Sequence, residues 1–238
     1  PERALVYVHR WAEDENEWVR RLASEGTRPR LPWAMNLPKF QADPEPVLAV
    51  LEKLKADESE TVRRSVANNL NDISKDHPER MLAVCESWYG QSAPTNRIVK
   101  HACRSLLKAG HPRALRLFGF ASPDKVSVAN LQVTPYALAI GDELSFSFDL
   151  EVAGEEPVQV RLEYAIDFVK ARGQTSRKVF MIFEKSLPPG RSLFEKKHSL
   201  IERTTRKHYP GLHRLTILAN GEPQAQAEFD LQSAAAEA

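Results

Sequence analysis

The spacing of apolar residues along the chain changes near residue 121. Before that point, apolar residues recur three and four positions apart, as at Val62, Val66 and Leu70, which is the spacing of one face of an amphipathic helix. After it, segments such as 144–152 alternate apolar and polar residues, as half-buried β-strands do. The first half is therefore predicted to be helical and the second half to be built from strands.

A short phrase recurs within the helical half. The segment Val19–Gly26, VRRLASEG, is followed 43 positions later by Val62–Asn69, VRRSVANN, and a weaker copy, Val99–Leu106, begins 37 positions after the second. A self-match at a period near 40 residues is typical of stacked helical hairpins of the HEAT or armadillo kind. We predict an α-solenoid in which the equivalent faces of successive copies lie side by side.

The alternating half has the pattern of an antiparallel sandwich. Turn sequences separate about seven predicted strands. Asn220-Gly221 is the strongest hairpin signal, because both residues accept the positive φ of a type I′ turn. About 110 residues is a usual size for an immunoglobulin-like domain. The predicted fold class is thus a two-domain α + β protein, an α-solenoid of HEAT-like repeats followed by an all-β immunoglobulin-like sandwich. The predicted bounds are 1–120 for the helical domain, 121–125 for a linker, 126–232 for the sandwich and 233–238 for a disordered tail.

The composition is that of a globular protein. Apolar residues make up 42% of the 238 residues, which is enough for sizeable cores, and no stretch approaches the roughly 18 apolar residues of a membrane span. Cys85 and Cys103 fall in helical pattern without the spacing of metal ligands, so we expect reduced core thiols, a cytoplasmic location and neither metal nor cofactor. The chain begins at Pro1 and residues 3–11 already have helical pattern, from which we expect further repeats upstream.

The net charge of +1 hides an uneven distribution. Residues 1–120 contain 19 Lys and Arg against 16 Asp and Glu, and the rest of the chain 14 against 16. The window 170–208 contains 11 Lys and Arg and only 3 Asp and Glu, a local charge of +8. A charge run is usually a solvated surface, but a basic patch that spans several strands also indicates a polyanion partner.

The repeated phrase places polar residues on one helical face. Positions i, i+4 and i+8 share a face, which groups Arg21 with Glu25 and Arg64 with Asn68 and Asp72. The equivalent face of the third copy has four more polar residues, Arg97, His101, Arg104 and Lys108. Stacking therefore predicts a basic trough that contains two carboxylates. The alternative is that each carboxylate is merely the intrahelical salt-bridge partner of its neighbouring arginine.

The segment Gly26–Trp33 has two prolines and a glycine in eight residues. Such a sequence ends the preceding helix and is predicted to present Arg28, Arg30 and Trp33 on an irregular loop. Two arginines and an indole beside a carboxylate can contact phosphate, sugar and base. The alternative is an ordinary turn in which Trp33 packs in the core. The other tryptophans, Trp11, Trp18 and Trp88, lie at helical spacing and are assigned to packing.

These residues resemble a known family. The run VRRLASEGTRPRLPW at 19–33, followed by VRRSVANNLNDISKD at 62–76, is similar to the AlkC branch of the HEAT-like-repeat alkylpurine DNA glycosylases, some of which have an immunoglobulin-like domain after the repeats. The resemblance covers about residues 1–120. It implies a DNA repair enzyme that removes N3-methyladenine and other small cationic N-alkyl lesions without a base-flipping pocket.

The resemblance also directs the assignment of site residues. We predict Glu25 and Asp72 as the catalytic pair, because a carboxylate can stabilise an oxocarbenium-like sugar or position the attacking water. Trp33 or Trp18 would contact the deoxyribose or the lesion. The predicted DNA-binding residues are Arg21, Arg28, Arg30, Arg63, Arg64, Asn68, Arg97, His101, Arg104 and Lys108. The implied partner is double-stranded DNA carrying alkylated bases, bound by a monomer without a membrane or a nucleotide cofactor.

Two questions stay open at the level of sequence. The sandwich is either a passive packing or protein-binding module, or a second contact for the DNA backbone through Arg177, Lys178, Lys196 and Lys197. For the whole chain, the alternative to a glycosylase is a non-catalytic HEAT-repeat module that binds damaged or branched DNA, or a protein, with the same surface.

Overall fold

The computed structural model describes residues 2–202, 204 and 207–233 of the chain. The chain divides into two compact units, Pro1–Ala114 and Leu115–Ala238. The tail predicted for 233–238 lies, from Ala234 onward, outside the described residues. No helix within the described ranges combines the length and the apolar composition needed to cross a bilayer.

The first unit is helical, and several of its helices begin at a proline or after a capping residue. Pro78 and Pro112 are the first residues of their helices, and the Ser92 side chain caps the helix that begins at Ala93. Proline fits the first helical turn because its missing N–H has no intrahelical partner there. The helices are α1 (Glu2–Trp11), α2 (Glu17–Glu25), α3 (Pro38–Ala42), α4 (Glu45–Leu54), α5 (Glu60–Ile73), α6 (Pro78–Trp88), α7 (Ala93–Ala102), α8 (Arg104–Lys108) and α9 (Pro112–Leu117), of which α9 extends across the boundary between the units.

The three copies of the repeated phrase pack side by side. They fall on α2, α5 and the α7–α8 region, and α5 contacts both α2 and α7. Helices α1, α4 and α6 pack against these three from behind. The apolar positions of the second copy, Val62, Val66 and Leu70, are fully buried. The predicted stacking of helical repeats is therefore confirmed.

The third copy differs from the prediction in one respect. Helix α7 ends at Ala102, Cys103 forms a turn, and α8 begins at Arg104. Arg97 and His101 therefore share one helix, whereas Arg104 and Lys108 lie on the next. The four side chains of the predicted face thus come from two helices, although His101 and Arg104 both contact Asn68.

The second unit is an immunoglobulin-like sandwich. Its strands are antiparallel except where β2 pairs with β8, and they form two sheets with the orders β1-β3-β6 and β2-β8-β7-β4-β5. The described residues form eight strands rather than about seven. They are β1 (Val126–Thr134), β2 (Ala137–Ala139), β3 (Glu143–Val152), β4 (Val158–Val169), β5 (Thr175–Leu187), β6 (Gly190–Ser199), β7 (Gly211–Ala219) and β8 (Glu222–Gln232).

The two sheets enclose one apolar core. Phe148, Leu162, Ile217 and Phe229 are fully buried in it. Residues Asn220 and Gly221 join β7 to β8 with φ values of 47° and 82°, so the predicted hairpin turn with two positive φ angles is confirmed. Strands β5 and β6 are consecutive in the chain, yet each lies at the edge of a different sheet.

Candidate active site

Two carboxylates that are far apart in sequence meet where α2 and α5 end. Glu25 is the last residue of α2 and Asp72 the penultimate residue of α5. The Arg28 guanidinium lies between them, with Nε donating to Asp72 Oδ2 at 2.8 Å and Nη1 donating to Glu25 Oε1 at 2.7 Å. A single guanidinium that binds both groups keeps them within roughly 10 Å, the range of carboxylate pairs in glycosidases.

The remaining carboxylate oxygens also have donors. Ser65 Oγ donates to Glu25 Oε2 at 2.8 Å, and Lys75 Nζ lies 3.0 Å from Asp72 Oδ1. Arg21, predicted as the intrahelical partner of Glu25, is more distant at 3.9 Å. The ion pair of Glu25 with its own helix is thus the weakest of these contacts. The cluster Glu25, Arg28, Ser65, Asp72 and Lys75 is called the carboxylate cluster below.

The position of Arg28 corrects the sequence prediction. Arg28 was expected to meet a phosphate from an exposed loop, but only 8% of the residue is exposed. Burial opposes its charge, yet the hydrogen bonds to Asp72 and Glu25 outweigh burial and raise the pKa of Arg28. A buried cation needs carboxylate partners. The partners of the Arg28 guanidinium are Asp72 and Glu25, the predicted catalytic pair.

The loop after Arg28 is anchored at several points. Arg30 donates to both carboxylate oxygens of Asp76 at 2.9 and 2.6 Å, and the hydrogen bond from Arg30 lowers the pKa of Asp76. The Leu37 amide donates to the Pro29 carbonyl at 3.1 Å. Arg30, like Arg28, is therefore paired with a carboxylate on or after α5, although its side chain remains partly exposed.

Trp33 projects into solvent from this loop. Its relative exposure is 106%, and its φ of 65° lies in the left-handed region that non-glycine residues rarely adopt. The alternative that Trp33 packs in the core is therefore wrong. Trp18, assigned to packing, is also exposed at 60%, whereas Trp88 is buried and donates through Nε1 to Glu52. Strain and exposure at an anchored position are features that accompany binding sites.

The basic face continues from Asp72 toward the third copy of the repeat. Asn68 Oδ1 accepts from His101 Nε2 at 3.0 Å and from Arg104 Nη2 at 3.1 Å. Burial lowers the pKa of Arg104, and no carboxylate within the described part of the chain lies within ion-pair distance of it. Arg64 and Arg97 line a small cavity of about 190 Å³ together with His101. Arg64 also pairs with Glu60 at 3.3 Å, although both side chains are exposed. Arg97 makes no ion pair with any described residue, so this face can bind an anion.

Arg63 differs from the other predicted DNA-binding residues. Its Nη1 donates to the backbone carbonyls of Asp57 and Glu58 at 2.5 and 2.7 Å. The side chain thereby satisfies carbonyl groups in the turn before α5. Arg63 also borders the small cavity, but its contacts show a structural role that the sequence did not suggest.

Ser65 and Lys75 were not identified from sequence. Ser65 lies three residues after Val62 and is buried against α2, where its hydroxyl also lies 3.0 Å from Ser24 Oγ. Lys75 follows Asp72 by three residues, a spacing at which side chains meet on a helix or its first following turn. A search for polar residues at three and four positions from each carboxylate finds Lys75, but Ser65 requires the packing of α5 on α2.

In the second unit, the predicted basic residues lie on the two edge strands. Arg177 is 4.0 Å from Asp167, and Lys197 pairs with Glu143 at 2.8 Å. Lys178 and Lys196 are exposed and make no ion pair with any described residue. Charged residues on edge strands also discourage pairing with other chains, so the basic run has a structural explanation beside the functional one.

The chain is similar to known proteins over most of its length. Residues 2–106 match the model of the family described as "DNA alkylation repair enzyme", and residues 127–233 match that of the "Uncharacterised protein YhaZ, C-terminal Ig-like domain". The protein YhaZ of Bacillus subtilis strain 168 is 47% identical over 231 residues, which cover 97% of this chain and 64% of YhaZ.

A solved structure is similar over the same span. The Pseudomonas fluorescens alkylpurine DNA glycosylase AlkC, bound to DNA containing an abasic site analog, has 45% identity and a TM-score of 0.92. The match covers 97% of this chain and 65% of AlkC. The chain thus spans just under two thirds of the length of both relatives. Its helical unit is therefore similar to DNA alkylation repair enzymes, and its second unit to the YhaZ C-terminal Ig-like domain.

Proposed function

We propose that this protein is a DNA glycosylase that hydrolyses the N-glycosidic bond of cationic N-alkylated bases, such as N3-methyladenine, in duplex DNA. The observation that carries the proposal is the convergence of Glu25 and Asp72 on Arg28 beside a face of cationic side chains. The similarity to AlkC, a glycosylase by name, and the match to the alkylation repair family support it.

The main catalytic contribution required of the protein is electrostatic stabilisation of the transition state. A base alkylated at N3 is cationic and leaves readily, so the main barrier is the oxocarbenium-like sugar that remains. A fixed carboxylate stabilises this charge and can take a proton from the attacking water. The reaction is monofunctional in this proposal, because hydrolysis by water requires no covalent amine intermediate.

Substrate contacts follow from the exposed side chains. Trp33, and Trp18 at the start of α2, offer apolar surface for the deoxyribose or the lesion. The side chains that we propose to meet phosphates are Arg21, Arg64, Arg97, His101, Arg104 and Lys108. Because these contacts lie on an exposed surface, the proposed enzyme can act on the lesion without a pocket for a flipped base. We further propose that the protein acts as a monomer in the bacterial cytoplasm, where duplex DNA and reduced thiols such as Cys85 and Cys103 are found.

Release of free base tests the proposal. The wild-type chain is incubated with duplex containing N3-methyladenine, the released base is quantified by chromatography, and binding is measured with duplex that carries an abasic analogue. Glu25→Gln and Asp72→Asn are each expected to lose most of the release activity while they retain binding. Glu45→Gln is the matched control, because Glu45 is a surface carboxylate paired with Arg80 on another part of the helical unit.

The outcomes separate the two functions considered from sequence. A non-catalytic DNA-binding module would bind the duplex but release no base above the rate in buffer. If neither carboxylate substitution affected base release, the protein would still be a glycosylase, but Glu25 and Asp72 would not form its active site.

We also propose that the edge strands of the second unit provide a second contact with the DNA backbone. Lys178 and Lys196 support this, since both are exposed and lack carboxylate partners among the described residues. Neutralising these two together with Arg177 and Lys197 is expected to weaken duplex binding and to reduce its salt dependence. If the salt dependence of duplex binding did not change, the role of these residues would be to prevent the edge strands from pairing with other chains.

A further inference from the structure

Helix α5 contains three asparagines within four residues, and each contacts a different part of the helical unit. Asn68 borders the basic face, whereas Asn69 and Asn71 are buried, with 0% and 3% of each residue exposed. A buried amide is costly unless its donors and acceptors find partners. Asn69 Nδ2 donates towards α2, to the Ser24 carbonyl at 2.8 Å. Asn71 faces the other neighbour of α5, where α7 ends and α8 begins.

Asn71 binds both sides of the break between α7 and α8. Its Nδ2 donates to the carbonyl of Ala102, the last residue of α7, at 2.8 Å, and its Oδ1 accepts from Ser105 Oγ of α8 at 3.2 Å. In an uninterrupted helix, the Ala102 carbonyl would accept from the amide four residues later, but at a helix end it needs another partner. Asn71 provides that partner, which gives a physical reason for a helix end that neither glycine nor proline marks.

Arg104 lies between these two contacts in the chain and is oriented by neutral groups. Its Nη1 donates to the His101 carbonyl at 2.7 Å, and its Nη2 donates to Asn68 Oδ1 at 3.1 Å. Burial lowers the pKa of Arg104, and the attraction of Asp72 only partly opposes this effect. The guanidinium is therefore held by acceptors that do not neutralise it, and it can form charge-assisted hydrogen bonds with a phosphate.

We propose that Asn71 is a positioning residue, which holds the break between α7 and α8 and thereby places the Arg104 guanidinium to bind a phosphate of the DNA backbone. Asn71 itself contacts no DNA in this proposal, because it is buried between the helices. The inference rests on duplex binding as part of the proposed function, and it concerns binding and not the hydrolysis of the glycosidic bond.

The salt dependence of duplex binding tests whether Asn71 acts through Arg104. Fluorescence anisotropy with duplex that carries an abasic analogue gives the slope of log Kd against log salt. Arg104→Gln removes one phosphate contact and should reduce this slope by about 0.9. Asn71→Leu replaces the amide by a side chain of similar size without hydrogen-bonding groups, and it is expected to reduce the slope by about the same amount. The double variant should lose no more than either single variant, because both substitutions remove the same contact.

Asn69→Leu is the matched control. Asn69 has the same side chain on the same helix and is equally buried, but it contacts α2. The Asn69→Leu variant should keep the wild-type slope, and Arg104→Gln should have its full effect in that background. If Asn71→Leu does not fold, Ser105→Ala replaces it in the comparison, since it removes the hydrogen bond to Asn71 on the α8 side. Ser105→Ala should also reduce the slope and add nothing to Arg104→Gln.

The rate of base release separates this role from one in the carboxylate cluster. A phosphate contact strengthens binding of the substrate and of the transition state alike. Asn71→Leu is therefore expected to raise Kd for the duplex and to leave the single-turnover rate of release at saturating duplex unchanged. A lower saturated rate with an unchanged salt slope would overturn the inference.

The inference and the proposed function fail in different ways. Slope losses of Asn71→Leu and Arg104→Gln that add in the double variant, or an Asn71→Leu variant with the wild-type slope, would overturn the role of Asn71 while wild-type binding and base release continued. A wild-type chain that binds duplex without releasing base would overturn the glycosylase proposal, and the slopes would still decide the role of Asn71. A wild-type chain that does not bind duplex would overturn both.

Discussion

The two units of this protein arrange their charges in opposite ways. In the helical unit, Glu25 and Asp72 are 47 positions apart in sequence, yet they meet on one buried arginine. In the second unit, the densest basic run of the chain spreads along β5 and β6, which lie at the edges of two different sheets. Charge density along a sequence is thus a poor guide to where charges converge in space.

The difference follows from the repeat. Stacked helices bring equivalent positions side by side, so residues one repeat apart become neighbours. In the sandwich, the consecutive strands β5 and β6 lie in different sheets, and alternation along a strand sends successive side chains to opposite faces. The sequence feature that points to the candidate site is therefore the recurring phrase, with Glu25 inside its first copy and Asp72 three residues after its second copy, and not the strongest charge run.

Removing the central cation gives the largest expected effect. Arg28→Met leaves Glu25 and Asp72 without their common partner in a largely buried position, and breaking a buried ion pair in this way costs about 3–5 kcal/mol. Arg191→Met in the second unit is the matched control, because Arg191 pairs with Asp149 at 2.5 Å but is exposed. Urea unfolding is followed by tryptophan fluorescence, which reports on the helical unit because that unit holds all four tryptophans. Circular dichroism is recorded in parallel, because its signal also includes the strands of the second unit.

Equal stability of the Arg28→Met and Arg191→Met variants would remove the contrast between a buried and an exposed ion pair. It would also show that the bridge between the carboxylates is absent in solution.

Neutralising the cavity beside the third repeat copy is expected to have the next largest effect. Arg64→Gln combined with Arg97→Gln removes two side chains that face the same 190 Å³ cavity. Each lost phosphate contact reduces the slope of log Kd against log salt by about 0.9, so the double variant should lose roughly 1.8. Fluorescence anisotropy over a salt series measures this slope.

The edge-strand pair Lys178→Gln and Lys196→Gln is the comparison for this measurement. If the edge-strand variant lost more of the slope of log Kd against log salt than the cavity variant, the sandwich and not the helical unit would make the main DNA contact.

Much of the fold could be predicted because its signals are local. Proline at the start of α6 and the hairpin turn at Asn220-Gly221 each depend on a few adjacent residues. The helix end at Cys103 could not be predicted, because neither a glycine nor a proline marks it. Arg28 was assigned to DNA because its partner Asp72 lies 44 positions away, and only the packing of α5 on α2 brings the two together.

A pH effect is expected in the second unit. His213 is buried, its Nδ1 lies 2.8 Å from the Gly211 carbonyl, and its Nε2 accepts from the Val169 amide. Burial lowers the pKa of His213, against smaller opposing effects of the Gly211 hydrogen bond and Asp230. Because the unfolded chain binds the proton more readily, the stability of this unit should fall as pH drops below the ordinary histidine value of about 6.5.

Thermal unfolding followed by circular dichroism between neutral and mildly acidic pH measures this effect. His213→Asn should show a shallower decline than the wild-type chain, since it removes the titrating group. The same slope in both proteins would assign the decline to other groups.

The smallest expected change in stability concerns the most exposed aromatic side chain. Trp33 buries almost no surface, so Trp33→Ala should alter the free energy of unfolding by no more than about 0.5 kcal/mol. The same substitution should lower the rate of base release, because the loop that carries Trp33 begins at Arg28 and is anchored to Asp76 beside the carboxylate cluster. A variant that loses stability without losing activity would show that Trp33 packs on the protein in solution, and the helical unit would then lack an exposed contact for the substrate at this loop. Loss of activity without loss of stability would instead assign different roles to two residues of one short segment. Arg28 would then hold the carboxylates in place, and Trp33 would contact the DNA.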